Sequence, residues 1–346
     1  MDSRERARTA LSGGKPDRVP CALGFFPQSL FGVQDADELF GTDVRFIDFD
    51  PPESDGRLLT YLESLPQDVH VGSPAQLRTY QEWGYNPAAG PPHPLERLRS
   101  VAEWARNLLP ELADSRRHAG LADRVRKLHD RGLAVAGSPP HLGGELFESA
   151  WRLRGFERFM KDLVKRPDLV HYLLDQLTAL ALHGAGILAR AGVDILILDD
   201  DVAYCGGLLM SPTTWRRFFK PRLARIIEAA REAAPGLLVF YHSDGDFTRL
   251  LPDLVEVGVD VVNPVAPDCM DAEAIRRAFG DRLALWGTIG SAVAWDLGTP
   301  EQIREELRVR VDTLGRSGLL LSPAYDLDFA PRENVAAFIE AVREFG

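Results

Sequence analysis

Eight short apolar runs punctuate the chain: "VPCALGF" (19–25), "VRFIDFD" (44–50), "LAVAGSP" (133–139), "DILILDD" (194–200), "LLVFYHS" (237–243), "VDVVNPV" (259–265), "LALWGTI" (283–289) and "GLLLSPA" (318–324). Each is rich in aliphatic and aromatic residues, is bounded by turn residues or a sudden polar residue, and lacks a period of two at its centre. That is the pattern of strands covered on both faces. Between the later runs, "SPTTWRRFFKPRLARIIEAAREAAPG", "DFTRLLPDLVEVG", "DAEAIRRAFGD" and "TPEQIREELRVRVDTLGRSG" carry helical spacing. Several open on Ser, Thr or Asp and close on Gly, the usual punctuation of helices.

Strand and helix therefore alternate, which predicts an α/β fold. About eight strands in this order predict a (β/α)8 TIM barrel, although a doubly wound sheet gives the same local signal. Residues 51–132 break the rhythm, with "YNPAAGPPHPLE" and the helical tail "LADRVRKLHDRG". They predict a lid or insertion covering the barrel mouth within one domain spanning 1–346. No internal repeat, low-complexity tract or Gly/Ser linker divides the chain.

Composition narrows the partners. With 40 Lys and Arg against 51 Asp and Glu, the formal charge of −11 disfavours nucleic acid and anionic membranes. No apolar run reaches the ~18 residues of a membrane span, and the N-terminus lacks a signal-peptide core, so a soluble cytoplasmic protein is expected. Cys21, Cys205 and Cys269 are odd in number and widely spaced, which predicts reduced thiols rather than a disulfide framework. The Gly-rich pieces "LSGGK", "LGGEL" and "CGGL" match neither a dinucleotide fingerprint nor a phosphate loop, and no nucleophile elbow occurs. Cys205 is a nucleophile only if a base adjoins it, and packing is the ordinary role of such a residue. Trp83 and Trp151 are read as core or lid packing.

In parallel barrels the loops after the strands converge on one mouth. Residues just past each run are therefore the site candidates: Phe25 and Gln28; Asp48 and Asp50; Ser138 and His141; Asp199, Asp200 and Asp201; His242, Asp244 and Asp246; Asn263; Thr288; Tyr325, Asp326 and Asp328. The mouth is acidic, with two histidines. His242 and Asp244, at i and i+2 in extended chain, can face one divalent ion, since His with Asp is an ordinary ligand mix for zinc. Alternatively His242 hydrogen-bonds a neighbouring carboxylate and no metal is held. Among the three adjacent aspartates, at least one, Asp199 or Asp200 more than Asp201, is expected to face the pocket and serve as acid/base; the alternative is that one caps the next helix while another faces solvent. Phe25, Gln28, His141, Asn263 and Thr288 are read as substrate contacts.

Several segments together resemble the uroporphyrinogen decarboxylase superfamily, which also holds zinc-dependent methyltransferases that serve corrinoid proteins and thiol acceptors. They are "ALSGGKPDRVPCALGF" (10–25), "FESAWRLRGFERFMKDLVKRPDLVHYLLD" (147–175), "GVDILILDDDVAYCGGLLMSPTTWRRFFKPRLARII" (192–227), "FYHSDGDFTRLLPDLVEVGVDVVNPVAP" (240–267), "FGDRLALWGTIG" (279–290) and "LSPAYDLDFAPRENVAAFIEAVREFG" (321–346). The resemblance implies a (β/α)8 barrel. The methyltransferase branch typically carries His-x-Cys where this chain has His242 and Asp244, and a further cysteine where Tyr325 stands. The resemblance therefore implies a metal held by harder donors, His242 and Asp244 with Tyr325 or Asp326, and a more electrophilic ion than two thiolates leave.

In the decarboxylase branch an arginine cluster follows the first strand, but "FFPQSLFG" has none. That branch also implies a pyrrole-gripping aspartate, loosely Asp48 or Asp50, and a histidine where Tyr325 stands. A polycarboxylate substrate is disfavoured by the acidic mouth. The implied function is methyl transfer or activation of a small substrate at a zinc-type ion, with an external corrinoid protein or folate as methyl carrier. Two alternatives stand beside it: a metal-free lyase, possibly a decarboxylase using Asp48 or Asp50, and a catalytically inactive binding barrel. The resemblance also implies that the chain can pair as a homodimer.

Overall fold

The computed structural model describes residues 1–50, 95–97, 99–105, 118–290, 292–327 and 329–346. Seven parallel strands follow one another in sequence order around a curled sheet: β1 Val44–Ile47, β2 Ala134–Gly137, β3 Ile195–Asp199, β4 Leu238–His242, β5 Val261–Asn263, β6 Ala284–Trp286 and β7 Leu319–Leu320. The segment at 19–23 occupies the eighth position. Cys21 bridges Leu321 in parallel, and Cys21 also accepts from Asp43 N at 2.9 Å on the β1 side. The ring is thereby closed as a (β/α)8 barrel, and all eight apolar runs of the sequence supply its staves.

The strands are buried on both faces, which is why no hydrophobic alternation showed in their composition. The alternation is between two kinds of interior. Ala22, Val44, Ala134, Ala136, Ile195, Ile197, Leu238, Phe240, Val261, Ala284, Trp286 and Leu320 fill the barrel, whereas Leu196, Leu198, Val239, Tyr241, Val262 and Leu285 face the surrounding helices. This parity fixes which residues at the strand ends face the mouth: counting on by two reaches Asp48, Asp199, His242, Asn263 and Thr288.

The opposite end is plugged by the helix Ser3–Leu11, capped by Asp2. Its Ala7 and Leu11 join the inner cluster. Its Arg4 and Arg8, with His129, converge on buried Asp194 at the start of β3, at 2.9, 3.0 and 2.9 Å. The charge of Asp194 is thus compensated by three donors, as a buried carboxylate requires.

The tail "LADRVRKLHDRG" forms helix Leu121–His129, but it packs beside β1 and β2 as the crossover helix that parallel strands need. It is part of the barrel wall, so the expected lid extends too far at its C-terminal end. The rest of the expected insertion, 51–94, 98 and 106–117, lies outside the described residues, as does Asp328. Among the described residues no helix is long and apolar enough to cross a membrane.

Candidate functional site at the barrel mouth

His242 ends β4 and points inward, only 7% exposed. Two neighbours fix its ring. Phe25 stacks on it with centroids 4.1 Å apart and planes 21° from parallel. Asn263, at the matching end of β5, places its Oδ1 2.7 Å from Nδ1. An amide oxygen only accepts, so Nδ1 donates in this contact, and Nε2 is the ring nitrogen turned to the mouth.

Nε2 faces three carboxylates: Asp201 Oδ1 at 3.6 Å, Asp244 Oδ1 at 3.7 Å and Asp199 Oδ1 at 4.0 Å. These separations are too long for hydrogen bonds, yet they suit atoms sharing a cation. Donors each about 2.1 Å from one ion stand roughly 3.4 Å apart in a tetrahedron. Asp199, Asp201 and His242 each offer a ligand atom, and these atoms all lie within 4.8 Å of one another. The buried Oδ1 of Asp199 has no hydrogen-bond partner. A buried oxygen in that state carries a desolvation cost that ligation or protonation removes. The donors present therefore fit a divalent ion with oxygen and imidazole ligands.

Two further carboxylates crowd behind this front. Glu145 is buried, accepts the Asp199 amide N–H at 2.5 Å, and leaves Oε1 unpartnered. Glu148, also buried, pairs with Arg152 at 3.0 Å. Desolvation first, and then the charges of neighbouring aspartates, hold the carboxyls of Glu145 and Asp199 well above the usual range. For Glu148, burial raises the carboxyl against the opposing pull of Arg152. Asp244 is pushed up to about 6 by desolvation and by Asp201. Its side chain is 60% exposed, with Asp201 beside it.

Strand parity separates the adjacent aspartates. Asp199 follows Ile195 and Ile197 into the barrel, whereas Asp200 turns outward, and its carboxylate accepts the amides of Phe147 and Glu148, both at 2.9 Å. Asp200 thus holds the N-terminus of helix Phe147–Arg154, where a negative charge is favourable. Burial still raises its carboxyl to about 7. Asp201, which the sequence reading ranked below the other two, stands nearest His242 of the three. Asp200→Ala is expected to destabilise the fold by about 1–3 kcal/mol by stranding two amides, while leaving metal stoichiometry unchanged; denaturant unfolding beside elemental analysis checks both halves.

The other candidates are dispersed. Asp48 lies at the mouth end of β1, with Arg124 donating to its carbonyl at 2.8 Å, and Asp50 pairs with the same arginine at 3.5 Å. Thr288 is fully buried with Oγ1 unpartnered. Gln28 is buried against Gly24 in the loop after the closing segment. His141 lines a small, partly open pocket with Glu145, Ser149 and Leu177; burial lowers it to about 4. Tyr325 lies 3.8 Å from Cys269 Sγ, with its phenol raised by burial and then by Asp268 and Asp244. Asp326 is close enough to Asp244 to raise its carboxyl further.

The cysteines correct the expectation of free thiols. Cys205 and Cys269 are bonded to each other across 64 residues of sequence, and only Cys21 remains free, buried in the core. Cys205 is accordingly no nucleophile in this state.

The chain has recognisable relatives. Residues 84–345 match the family described as uroporphyrinogen decarboxylase (URO-D). The chain belongs to that family. Among curated members, it is 29% identical over 187 residues to the methylcobamide:CoM methyltransferase MtaA of Methanosarcina barkeri, covering 54% of this chain and 52% of the relative. It is 31% identical over 218 residues to the uroporphyrinogen decarboxylase of Coxiella burnetii strain Dugway 5J108-111, covering 62% and 57%. The chain thus spans about half the length of the curated relatives it matches. A solved methyltransferase from Methanosarcina mazei superposes over 100% of this chain and 99% of its own with a TM-score of 0.69 at 20% identity, a likeness that shows the fold. The URO-D relatives are enzymes of both branches, methyl transfer and decarboxylation.

Proposed function

We propose that this URO-D barrel is a metal-dependent enzyme that moves a methyl group, or activates a small nucleophile, at an ion held by His242, Asp199 and Asp201, with Asp244 or Asp326 completing the set. The observation that carries the reading is the His242 ring, fixed from behind by Asn263 and from the side by Phe25, with Nε2 turned toward three carboxylates at 3.6–4.0 Å. Oxygen and imidazole donors suit zinc and other borderline divalent ions. Such an ion would supply Lewis acidity, lowering the pKa of a thiol or hydroxyl substrate.

The protein's own groups do the rest. Asn263 holds the imidazole tautomer, the role that outer hydrogen bonds play for a ligating histidine. Phe25 keeps water from one face of the ring. Glu145, through the Asp199 amide, fixes the turn that presents Asp199 and Asp201. Tyr325 is placed as a proton donor near Asp244. The methyl donor is proposed to come from outside the chain, on a corrinoid protein or folate; the name of the MtaA relative, with its methylcobamide and CoM, supports this. A small-molecule substrate in solution and a homodimer complete the proposal.

The direct test is metal content per chain by mass spectrometry, together with methyl transfer from methylcobalamin to a thiol. Near-stoichiometric metal and chelator-sensitive transfer are expected. Absence of metal from folded, zinc-supplemented protein would overturn the reading. Asn263→Ala is expected to weaken zinc binding about 10- to 100-fold, measured by competition with a chromogenic chelator. A second reading, metal-free decarboxylation with Asp48 stabilising a cationic intermediate, is favoured by the position of Asp48 on the same inner face of β1 as Val44 and Phe46. It predicts activity that survives exhaustive chelation.

A further inference from the structure

Three segments that carry or orient the candidate ligands are stitched together beside the mouth. After Asp201 the chain makes a small hairpin, Ala203–Tyr204 against Gly207–Leu208. The Val202 amide donates to Ser243 Oγ at 3.0 Å, the Asp244 amide to Asp201 Oδ1 at 2.6 Å, and the Asp246 amide to the Tyr204 carbonyl at 2.9 Å. Gly245, at φ +84°, fits flat against the Tyr204 backbone, where a Cβ would come within 2.4 Å of it. The loop bearing Asp244 is thus held to the hairpin and the residues just before it by side-chain and backbone hydrogen bonds and by the close approach of Gly245.

Cys205 sits in the turn of that hairpin. Cys269 lies beyond β5, the strand whose last residue, Asn263, orients His242. Their Cα atoms are 4.7 Å apart, within the span of a disulfide. Cys205 is exposed and Cys269 half-buried, with Cys269 Sγ 3.8 Å from Tyr325 Oη. A covalent tie here joins the hairpin to the loop after β5, across the Asp244 loop lying between them.

We propose that Cys205 and Cys269 form a thiol–disulfide exchange site, and that the bond latches the hairpin and the Asp244 loop around the mouth. The reagent class is a low-molecular-weight disulfide. The exposed Cys205 thiolate attacks one sulfur of the reagent, whose S–S bond breaks and releases one thiol, leaving a mixed disulfide. The Cys269 thiolate then attacks Cys205 Sγ and expels the second thiol. Two protein thiols are oxidised, one reagent disulfide is reduced to two thiols, and the two protons pass to the departing thiolates. The consequence for ligand binding rests on the proposed metal site at Asp199, Asp201 and His242 with Asp244 beside it; the latch itself does not.

The test equilibrates the full chain in buffers of oxidised and reduced glutathione, traps free thiols with an alkylating reagent and weighs the intact protein. Cys205 and Cys269 are expected to gain or lose two labels together, while Cys205→Ser and Cys269→Ser each abolish the coupled change. Amide hydrogen exchange of residues 201–208 and 243–246 is expected to be at least about tenfold slower in the oxidised protein, and release of zinc to a chelator slower by a similar factor. Failure to form the intramolecular bond in any buffer, or an exchange difference below about twofold, overturns the latch. An intact exchange response with no zinc bound in either state supports the latch and overturns the metal assignment instead.

Discussion

His242→Ala is expected to lower the affinity for zinc by at least about 100-fold, so that the purified variant carries almost no metal while remaining folded. The size follows from the ligand set. Outer-sphere partners of a metal histidine already contribute about 10- to 100-fold, and among the described residues the imidazole is the nitrogen donor facing the three carboxylates. Removing it leaves acidic groups that bind zinc weakly and prefer harder ions. Folding is expected to survive because His242 lies at the open end of β4, above Phe240 and the inner cluster that fills the barrel. Elemental analysis with circular dichroism checks both expectations, and chelator-sensitive activity is expected to disappear with the metal. Unchanged metal in a folded variant would place the ion elsewhere in the chain.

The second large effect is the pH dependence of the metal-free protein. Glu145, Glu148, Asp199 and Asp200 are all held above the ordinary carboxylate range, primarily by burial, with Asp200 at about 7. A carboxyl with a raised folded-state pKa binds more protons in the native state than in the unfolded chain. The slope of unfolding free energy with pH is therefore negative between the unfolded value near 4 and the folded value. The metal-free barrel is expected to lose on the order of 2–4 kcal/mol between pH 5 and pH 8, seen as a fall in Tm on the order of 5 °C. Zinc is expected to oppose that fall most strongly at the upper end, where the ligands are deprotonated, adding roughly 2.7 kcal/mol at a free concentration a hundred times Kd. Calorimetry from pH 5 to 8, with and without zinc, measures both slopes; parallel curves would show that the cation does not reach the acidic cluster.

The barrel was legible because its strands are short apolar runs whose polar ends mark the mouth. "ILILDD" even contains the answer to which aspartate faces inward, since two steps of two from Ile195 reach Asp199 and leave Asp200 outside. That parity becomes usable only once the inner and outer faces are known, and both are apolar here. Glu145 and Glu148 were missed for a different reason. Glu145 sits in the loop "LGGEL" past the end of β2, where no periodicity applies, and Glu148 in the first turn of the short helix that follows; both are positioned by amide bonds to Asp199 and Asp200. Asp201 was ranked low because it lies beyond the strand, yet the chain bends there and returns its carboxylate toward His242. The pairing of Cys205 with Cys269 depends on the closure of β3 to β5 and has no trace in spacing. Helix Leu121–His129 was read as lid because it follows the long irregular stretch, although its position before β2 is where a crossover helix belongs.

The stacking of Phe25 on His242 also gives the site an optical and magnetic reporter of its own. With the two rings 4.1 Å apart and nearly parallel, the imidazole protons lie in the shielding cone of the phenyl group, so their resonances stand apart from those of solvent-facing histidines. Any event that draws Nε2 toward the carboxylates slides one ring over the other and moves those signals. Occupancy of the mouth can thus be followed by proton spectroscopy on unlabelled protein, with Phe25→Leu as the silent control.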